Sequence, residues 1–430
     1  MKKLYMILTL LSIVLGTTAQ TVWDGTSATW TQGSGTADAP YLIETPQHLA
    51  YLGEQVKAGT DYEGKFFKLT QDLNMGGAEG RVFPPIGFYY SFIESSDASE
   101  STDQSKYFKG TFDGNYKTID NLHINFKPTE LGGTGLFACT TTSTCIQNLV
   151  LGAKSKIEGA EVTGSIVGIM VAGILQNCQN NAEVIAESYT GGLVGSTEKA
   201  TIINCSNKGK VNGVTEVGGI VGSLGAGSVV KGCYNTAAVT ATGFGGSGIV
   251  GSSFSSFFTS STISNCYSIG AVAGLESLYL GKPQAICASY NVGDQVSNCF
   301  YIKELTGFDD EKGSAITDAQ LKDVATLALL NADLTPAAFV ADTENTNGGL
   351  PILSWETKLS TGIARVLADA RTDWQLAVDG RTLTADRSFE VRTLSGAVVA
   401  EGRRVTVAAA GVYVVTPTGK AAKSHKIIIK

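Results

Sequence analysis

A short pattern of small and aliphatic residues recurs through the middle of this chain, and it limits the fold more than any other feature. It reads TGLF at 134–137, GSIVG at 164–168, GGLVG at 191–195, GGIVG at 218–222 and GSGIVG at 246–251, with a weaker copy, AIC, at 285–287. Each copy is followed by a second pattern: IQNL (146–149), LQNC (175–178), IINC (202–205), VKGC (230–233), ISNC (263–266) and VSNC (296–299). The last residues of the second pattern lie 29, 27, 28, 33 and 33 positions apart. A period of this length marks one supersecondary unit per repeat. Within one unit, TIINCSNKGKVNGVTEVGGIVGS (201–223), short β-branched runs alternate with Asn, Gly, Lys and Ser clusters, which spells strand, turn, strand, turn. No single repeat has enough apolar surface to fold alone. Stacking sets Ile220, Val221 and Cys205 over their counterparts and makes a continuous core. The expected fold is therefore all-β, a parallel β-helix-like solenoid, with a sandwich of hairpins as the alternative.

Glycine supplies 51 of 430 residues, roughly 12% where about 7% is usual, and most of the excess falls in the repeats. That points to tight, recurrent turns, so Gly191, Gly192, Gly195, Gly218, Gly219, Gly222 and Gly251 are read as structural. Five of the eight cysteines, Cys178, Cys205, Cys233, Cys266 and Cys299, share one repeat position. Rungs about 4.8 Å apart bring such residues within disulfide range, but stacking in register seldom supplies the required dihedral. A buried ladder of reduced thiols is favoured over disulfides.

The flanks divide the rest of the chain. Lys2 and Lys3, an apolar run from Leu4 to Leu15, and the small residues Thr17 and Ala19 predict a signal peptide over 1–19 and a mature start at Gln20. No later window approaches the 18 to 20 apolar residues of a membrane span. Residues 20–132 are read as an N-terminal cap with the first solenoid strands. There Thr45 and Pro46 open a helix whose inner face holds Leu49, Leu52 and Val56 and which Gly59 ends. In 108–124, Asp113, Gly114 and Asn115 predict a turn between two strands. Residues 133–300 are the repeat solenoid. Residues 301–360 are a C-terminal cap, with helical spacing of Leu321, Val324, Leu327 and Leu330, and a strand at LPILSWE (350–356). From 361 to 430, short strands punctuated by Asp379-Gly380, Ser395-Gly396, Ala410-Gly411 and Thr418-Gly419 describe a small β-sandwich.

The repeats at 133–300, with their paired GG[IL]VG and [IV]xNC patterns, resemble the GLUG-motif repeat family of exported bacterial proteins of adhesin type. That resemblance implies a surface location and binding, and supplies no shared catalytic residues. The last motifs, LSGAVV (394–399), GVYVV (411–415) and KIIIK (426–430), resemble the type A sorting domain of the type IX secretion pathway of Bacteroidota. On that resemblance Gly411, Val412, Tyr413, Lys426 and Lys430 carry the sorting motif, and the type IX secretion machinery is an implied partner. The Pro-Asn-Pro usual near the start of such domains is replaced by LADARTDW (367–374).

Charge and side-chain inventory exclude several functions. The chain carries 32 basic and 39 acidic residues, a net charge of -7, which is the wrong sign for phosphate-backbone binding, so no nucleic acid is expected. The three histidines, His48, His123 and His425, form no local triad or metal set. No CxxC or Cys/His pairing suggests zinc. The turn at Asp113 to Asn115 and the loop DTENTNGG (342–349) are read as polar turns, not calcium sites. A carbohydrate-active β-helix enzyme needs clustered carboxylates. Between Gly191 and Ser297 the acids are Glu198, Glu216, Glu276 and Asp294, and they do not recur at one repeat position. No catalytic, metal or cofactor residue is assigned. The expected function is an adhesin or ligand-binding display protein, secreted and cell-surface or outer-membrane associated, with a surface glycan or protein of a host or community as partner. A structural or matrix component and, third, an enzyme are the alternatives. Tyr89, Tyr90, Tyr267, Phe254, Phe257 and Phe258 are candidate contact aromatics. The departures from the repeat, at 96–105, 252–261 and 275–283, are expected to hold the contact site.

Overall fold

In this computed structural model the structure describes residues 21–77, 81–89, 104–128, 132–254, 259–276, 282–291, 293–359, 376–379, 381–393, 398–408, 411–418 and 425–429. The signal-peptide reading at 1–19 and the replacement at 367–374 fall outside them. The chain divides into two compact units, 1–341 and 342–430.

The first unit is a parallel β-solenoid of about eight turns, as the repeat spacing predicts. One rung illustrates the rest. Its five short strands are Thr201–Ile203, Ser206–Asn207, Val211–Gly213, Thr215–Gly218 and Val221–Gly225. Each pairs in parallel with the matching strand one repeat away: Ile202 lies beside Val230, Ser206 beside Tyr234, Val211 beside Val239, Gly218 beside Ser247 and Val221 beside Val250. The row through the first strand runs from Tyr41 through Phe67, Phe112, Ile146, Leu175, Ile202, Val230 and Ile263 to Val296. From Phe67 to Ile263 these side chains are buried. Each contributes about 1.5–3 kcal/mol of apolar burial, and only the stack makes that burial possible.

The residues of the second repeat pattern each have a physical role. Its Asn sits at the corner between the first two strands in the left-handed region, with φ of 54°, 53°, 54°, 55° and 52° at Asn148, Asn177, Asn204, Asn265 and Asn298. Asn tolerates this conformation better than most residues, and the one repeat that departs uses Gly232, at φ 65°. The Cys that follows points inward. None of the eight cysteines is paired in a disulfide, and the five of the ladder are buried. Each ladder thiol donates to the carbonyl two residues before it, at 3.1–3.4 Å. Two residues after Cys178, Cys205 and Cys233, the buried Asn180, Asn207 and Asn235 form a second column. Asn180 Nδ2 donates to Asn207 Oδ1 and Asn207 Nδ2 to Asn235 Oδ1, both at 2.8 Å. The first pattern fixes the corner between fourth and fifth strands. A Cβ on Gly192 would collide with the Gly219 carbonyl oxygen, and one on Gly219 with that of Gly248, so backbones meet here at a distance only glycine permits.

Both ends of the stack are covered. At the N-terminal end the helix spans Pro46–Lys57, with Thr45 as N-cap accepting from the His48 amide and Gly59 at φ 105° just beyond it. The rings of Trp30, Tyr41, Tyr62, Phe67, Phe108 and Phe137 pack against one another at this end, with neighbouring centroids 4.9–6.1 Å apart. At the other end Asp310 gathers five donors. Its Oδ2 accepts from the Ile286 and Cys287 amides at 2.8 and 3.1 Å, and its Oδ1 from Tyr290 Oη and the Lys312 and Gly313 amides at 2.7, 3.0 and 2.6 Å.

Two sequence expectations are corrected. Residues 111–120 form one continuous strand, and Asp113 to Asn115 is a bulge within it rather than a turn between two. Asn115 and Tyr116 take φ of 50° and 58°, while Asp113 Oδ1 accepts from the Asn115 amide and Asn148 Nδ2. The single helix read over 317–331 is two, Asp318–Leu321 and Val324–Leu330. Asp323, with ψ 145°, breaks the first and caps the second. Val324, counted on the inner face, is 77% exposed.

In the second unit, Ile352–Leu353 is a short strand that runs into a 3-10 turn over Ser354–Lys358. Asp342 accepts from the Thr346, Asn347 and Gly349 amides, which accounts for the loop 342–349 as a turn. Five strands, Leu376–Asp379, Thr382–Thr393, Val398–Thr406, Gly411–Pro417 and His425–Ile429, make an antiparallel sheet curled as a half-barrel. Leu383, Phe389, Val391, Val407, Tyr413 and Val415 are its core.

Candidate functional site

A groove of about 590 Å³ runs along the solenoid where the fourth and fifth strands of successive rungs meet. This is within the size range of ligand sites. One wall is a row on the fifth strands, where register places Ile169, Ser196 and Ser223 side by side on three rungs, with Ser252 next in register beyond them. The other is a row on the fourth strands, Val162, Tyr189 and Glu216, each two residues before the first Gly or its equivalent in the repeat pattern. Tyr189 and Glu216 have φ of 46° and 53°. A bulky or charged residue in the left-handed region is uncommon, and such positions cluster at functional sites. Phe254, 74% exposed, and Tyr89 add aromatic faces to the lining.

Ser252 Oγ donates to Glu216 Oε2 at 2.7 Å and lies 3.5 Å from Ser223 Oγ. Burial raises the Glu216 carboxyl above the ordinary carboxylate range, partly offset by its bonds from Ser252 and Ser223. The Glu216 charge, then burial, then Glu161 raise the Tyr189 phenol. Glu198, also on the lining, pairs with Lys199 at 2.9 Å. No Lys, Arg or His is among the described lining residues.

The candidates from sequence separate cleanly. Tyr89 and Phe254 reach the groove, whereas Tyr267 is buried and stacked on Tyr234 at 4.9 Å. Tyr90, Phe257 and Phe258 lie outside the described residues, as do the cores of the three inserts. The repeat residues Gly191, Gly195, Gly218, Gly222 and Gly251 sit in the strands and corners beneath the groove. His48 Nδ1 accepts from the Glu44 amide, and His123 Nε2 pairs with Glu158 at 3.0 Å. Gly411, Val412 and Tyr413 begin the strand that pairs with the one holding Lys426, while Lys430 is outside the described residues. Sequence reasoning missed Tyr189 and the serine row and dismissed Glu216. Their signal was positional: alignment on the glycine pair would have shown Val162, Tyr189 and Glu216 in one column.

The repeat carries a recognised motif on a β-solenoid. The GLUG motif is matched over residues 186–212, which is one rung. The chain is similar to halomucin of Haloquadratum walsbyi, 29% identical over 187 residues, which is 38% of this chain and 2% of that protein. It therefore spans a small fraction of that relative's length. A crystal structure from Bacteroides ovatus, provisionally described as an immunoglobulin A1 protease, superimposes with a TM-score of 0.52 at 20% identity. The match covers 76% of this chain and 95% of that one, and it shows a shared fold.

Proposed function

We propose that this chain is an exported binding protein displayed at the cell surface, whose solenoid holds a ligand groove and performs no catalysis. The groove carries the reading: side chains from consecutive rungs converge on one concave strip, and two of them sit in a backbone conformation kept at a cost. A rigid stacked core beneath variable surface positions is a scaffold suited to recognition. The leader-like start and the tail motifs support export, with residues 361–430 acting as a type IX sorting domain. The antiparallel pairing of Gly411–Pro417 with His425–Ile429 is consistent with that role. The partner is a glycan or protein on a host or community surface. Binding of the full chain to a mixed glycan and protein array tests the function. Surface labelling of intact cells, with and without residues 361–430, tests delivery. No retained probe would refute binding, and unchanged display after the deletion would refute sorting.

One observation favours a second reading, an enzyme acting on carbohydrate. Glu216, buried with its carboxyl favoured in the protonated form, resembles a general acid. Glycoside hydrolysis needs a second carboxylate across the bond. Glu198 is engaged by Lys199, so binding remains the better account.

A further inference from the structure

We propose that the groove takes a neutral, extended oligosaccharide, with successive sugar units lying over successive rungs; this rests on the reading of the chain as a binding protein. Three features choose the ligand class.

The first is periodicity. Ser196 and Ser223 line the groove at one register position on consecutive rungs, with Ser252 next in register, so a hydroxyl recurs at the rung spacing of about 4.8 Å. An extended pyranose chain repeats on a similar scale, so one sugar can meet one hydroxyl at each step. The second is chemistry. Seryl hydroxyls donate and accept, and the Glu216 carboxyl accepts, which is what sugar hydroxyls require. The faces of Tyr189 and Phe254 offer apolar platforms for the C–H side of a sugar ring. The third is charge. Glu198 is paired with Lys199 and no Lys, Arg or His is among the described lining residues, so nothing on the lining offsets the charge of a sulfated or uronate chain.

A peptide fits less well. Extended peptides bind sheets by adding to an open edge. Here the strands under the groove are already paired on both sides by neighbouring rungs, so their main chains have little left to offer.

The test uses the full chain in titration calorimetry. Its ligands are neutral gluco-, manno-, galacto- and xylo-oligosaccharides from two to six units, the matching sulfated and uronate series, and a protein panel. At least one neutral series should bind, with affinity rising from the disaccharide and levelling off once the groove is filled. Phe254→Ala and Tyr189→Ala should each weaken it by about ten-fold or more, the loss of one well-placed aromatic contact. Unchanged circular dichroism of each variant separates lost contact from lost fold. Preference for charged glycans or for protein, or neutral binding that survives both aromatic substitutions, overturns the proposal while leaving a binding protein. Silence toward every probe overturns the binding function itself.

Discussion

Replacing Asn207 with alanine should open the solenoid locally, because this side chain links three rungs. It is fully buried, donates to Gly209 O at 2.9 Å and to Asn235 Oδ1 at 2.8 Å, and accepts from Asn180 Nδ2 at 2.8 Å and the Gly209 amide at 3.3 Å. Four bonds at about 1 kcal/mol each, with some partners left buried, set the loss at about 3–5 kcal/mol. A long stacked array need not unfold in one step, so a single midpoint would blur the effect. Native-state hydrogen exchange reads the opening free energy rung by rung. The loss should centre on the strands holding Asn180, Asn207 and Asn235 and leave the Trp23 to Met75 region unchanged. Asn212→Ala, which removes one half-buried bond of 3.3 Å to Glu183, should cost less than about 1 kcal/mol. A loss below about 1 kcal/mol for Asn207→Ala, or one spread evenly along the chain, would refute the ladder as a source of stability.

Thiol titration of native protein should detect at most Cys145, half-buried where the other seven are buried, and denatured, unreduced protein should release all eight; fewer would mean disulfides. Asp310→Ala removes an acceptor for five donors, so it should raise exchange in the rung of Ile286 and Cys287 by at least about 3 kcal/mol of opening free energy; unaltered protection there would contradict a capping role. Burial raises the Glu216 carboxyl, so the folded chain binds that proton more tightly than the unfolded one. Its stabilising effect is complete below the unfolded value of about 4.3 and is lost as pH rises through the folded value. Glu216→Gln should therefore leave the thermal midpoint unchanged at pH 4 and raise it at pH 7, and equal shifts at both would exclude this linkage.

The solenoid was legible because its determinants are local and recur. The Asn that turns left-handed, the Cys behind it and the glycines at the tight corner each stand at fixed places in most repeats. The helix at Pro46–Lys57 was equally readable, since Thr45, Pro46 and Gly59 act on their own neighbours. The bulge at Asp113 to Lys117 was not, because the D-G-N residues allow either a turn or a bulge and the choice is made by pairing with Cys145–Leu151. The groove was missed for a related reason. Tyr189 and Glu216 differ in type, so similarity does not link them; only the stacking of rungs makes them neighbours.

The asparagine column also gives the solenoid a direction. Every amide from Asn180 through Asn207 to Asn235 donates toward higher residue numbers, so the side-chain dipoles add instead of cancelling, as peptide dipoles do along a helix. Within its three rungs the column therefore has a fixed sense. New rungs duplicated into the array would have to enter in the same sense, which makes the polarity of the column a constraint on how such a protein can lengthen.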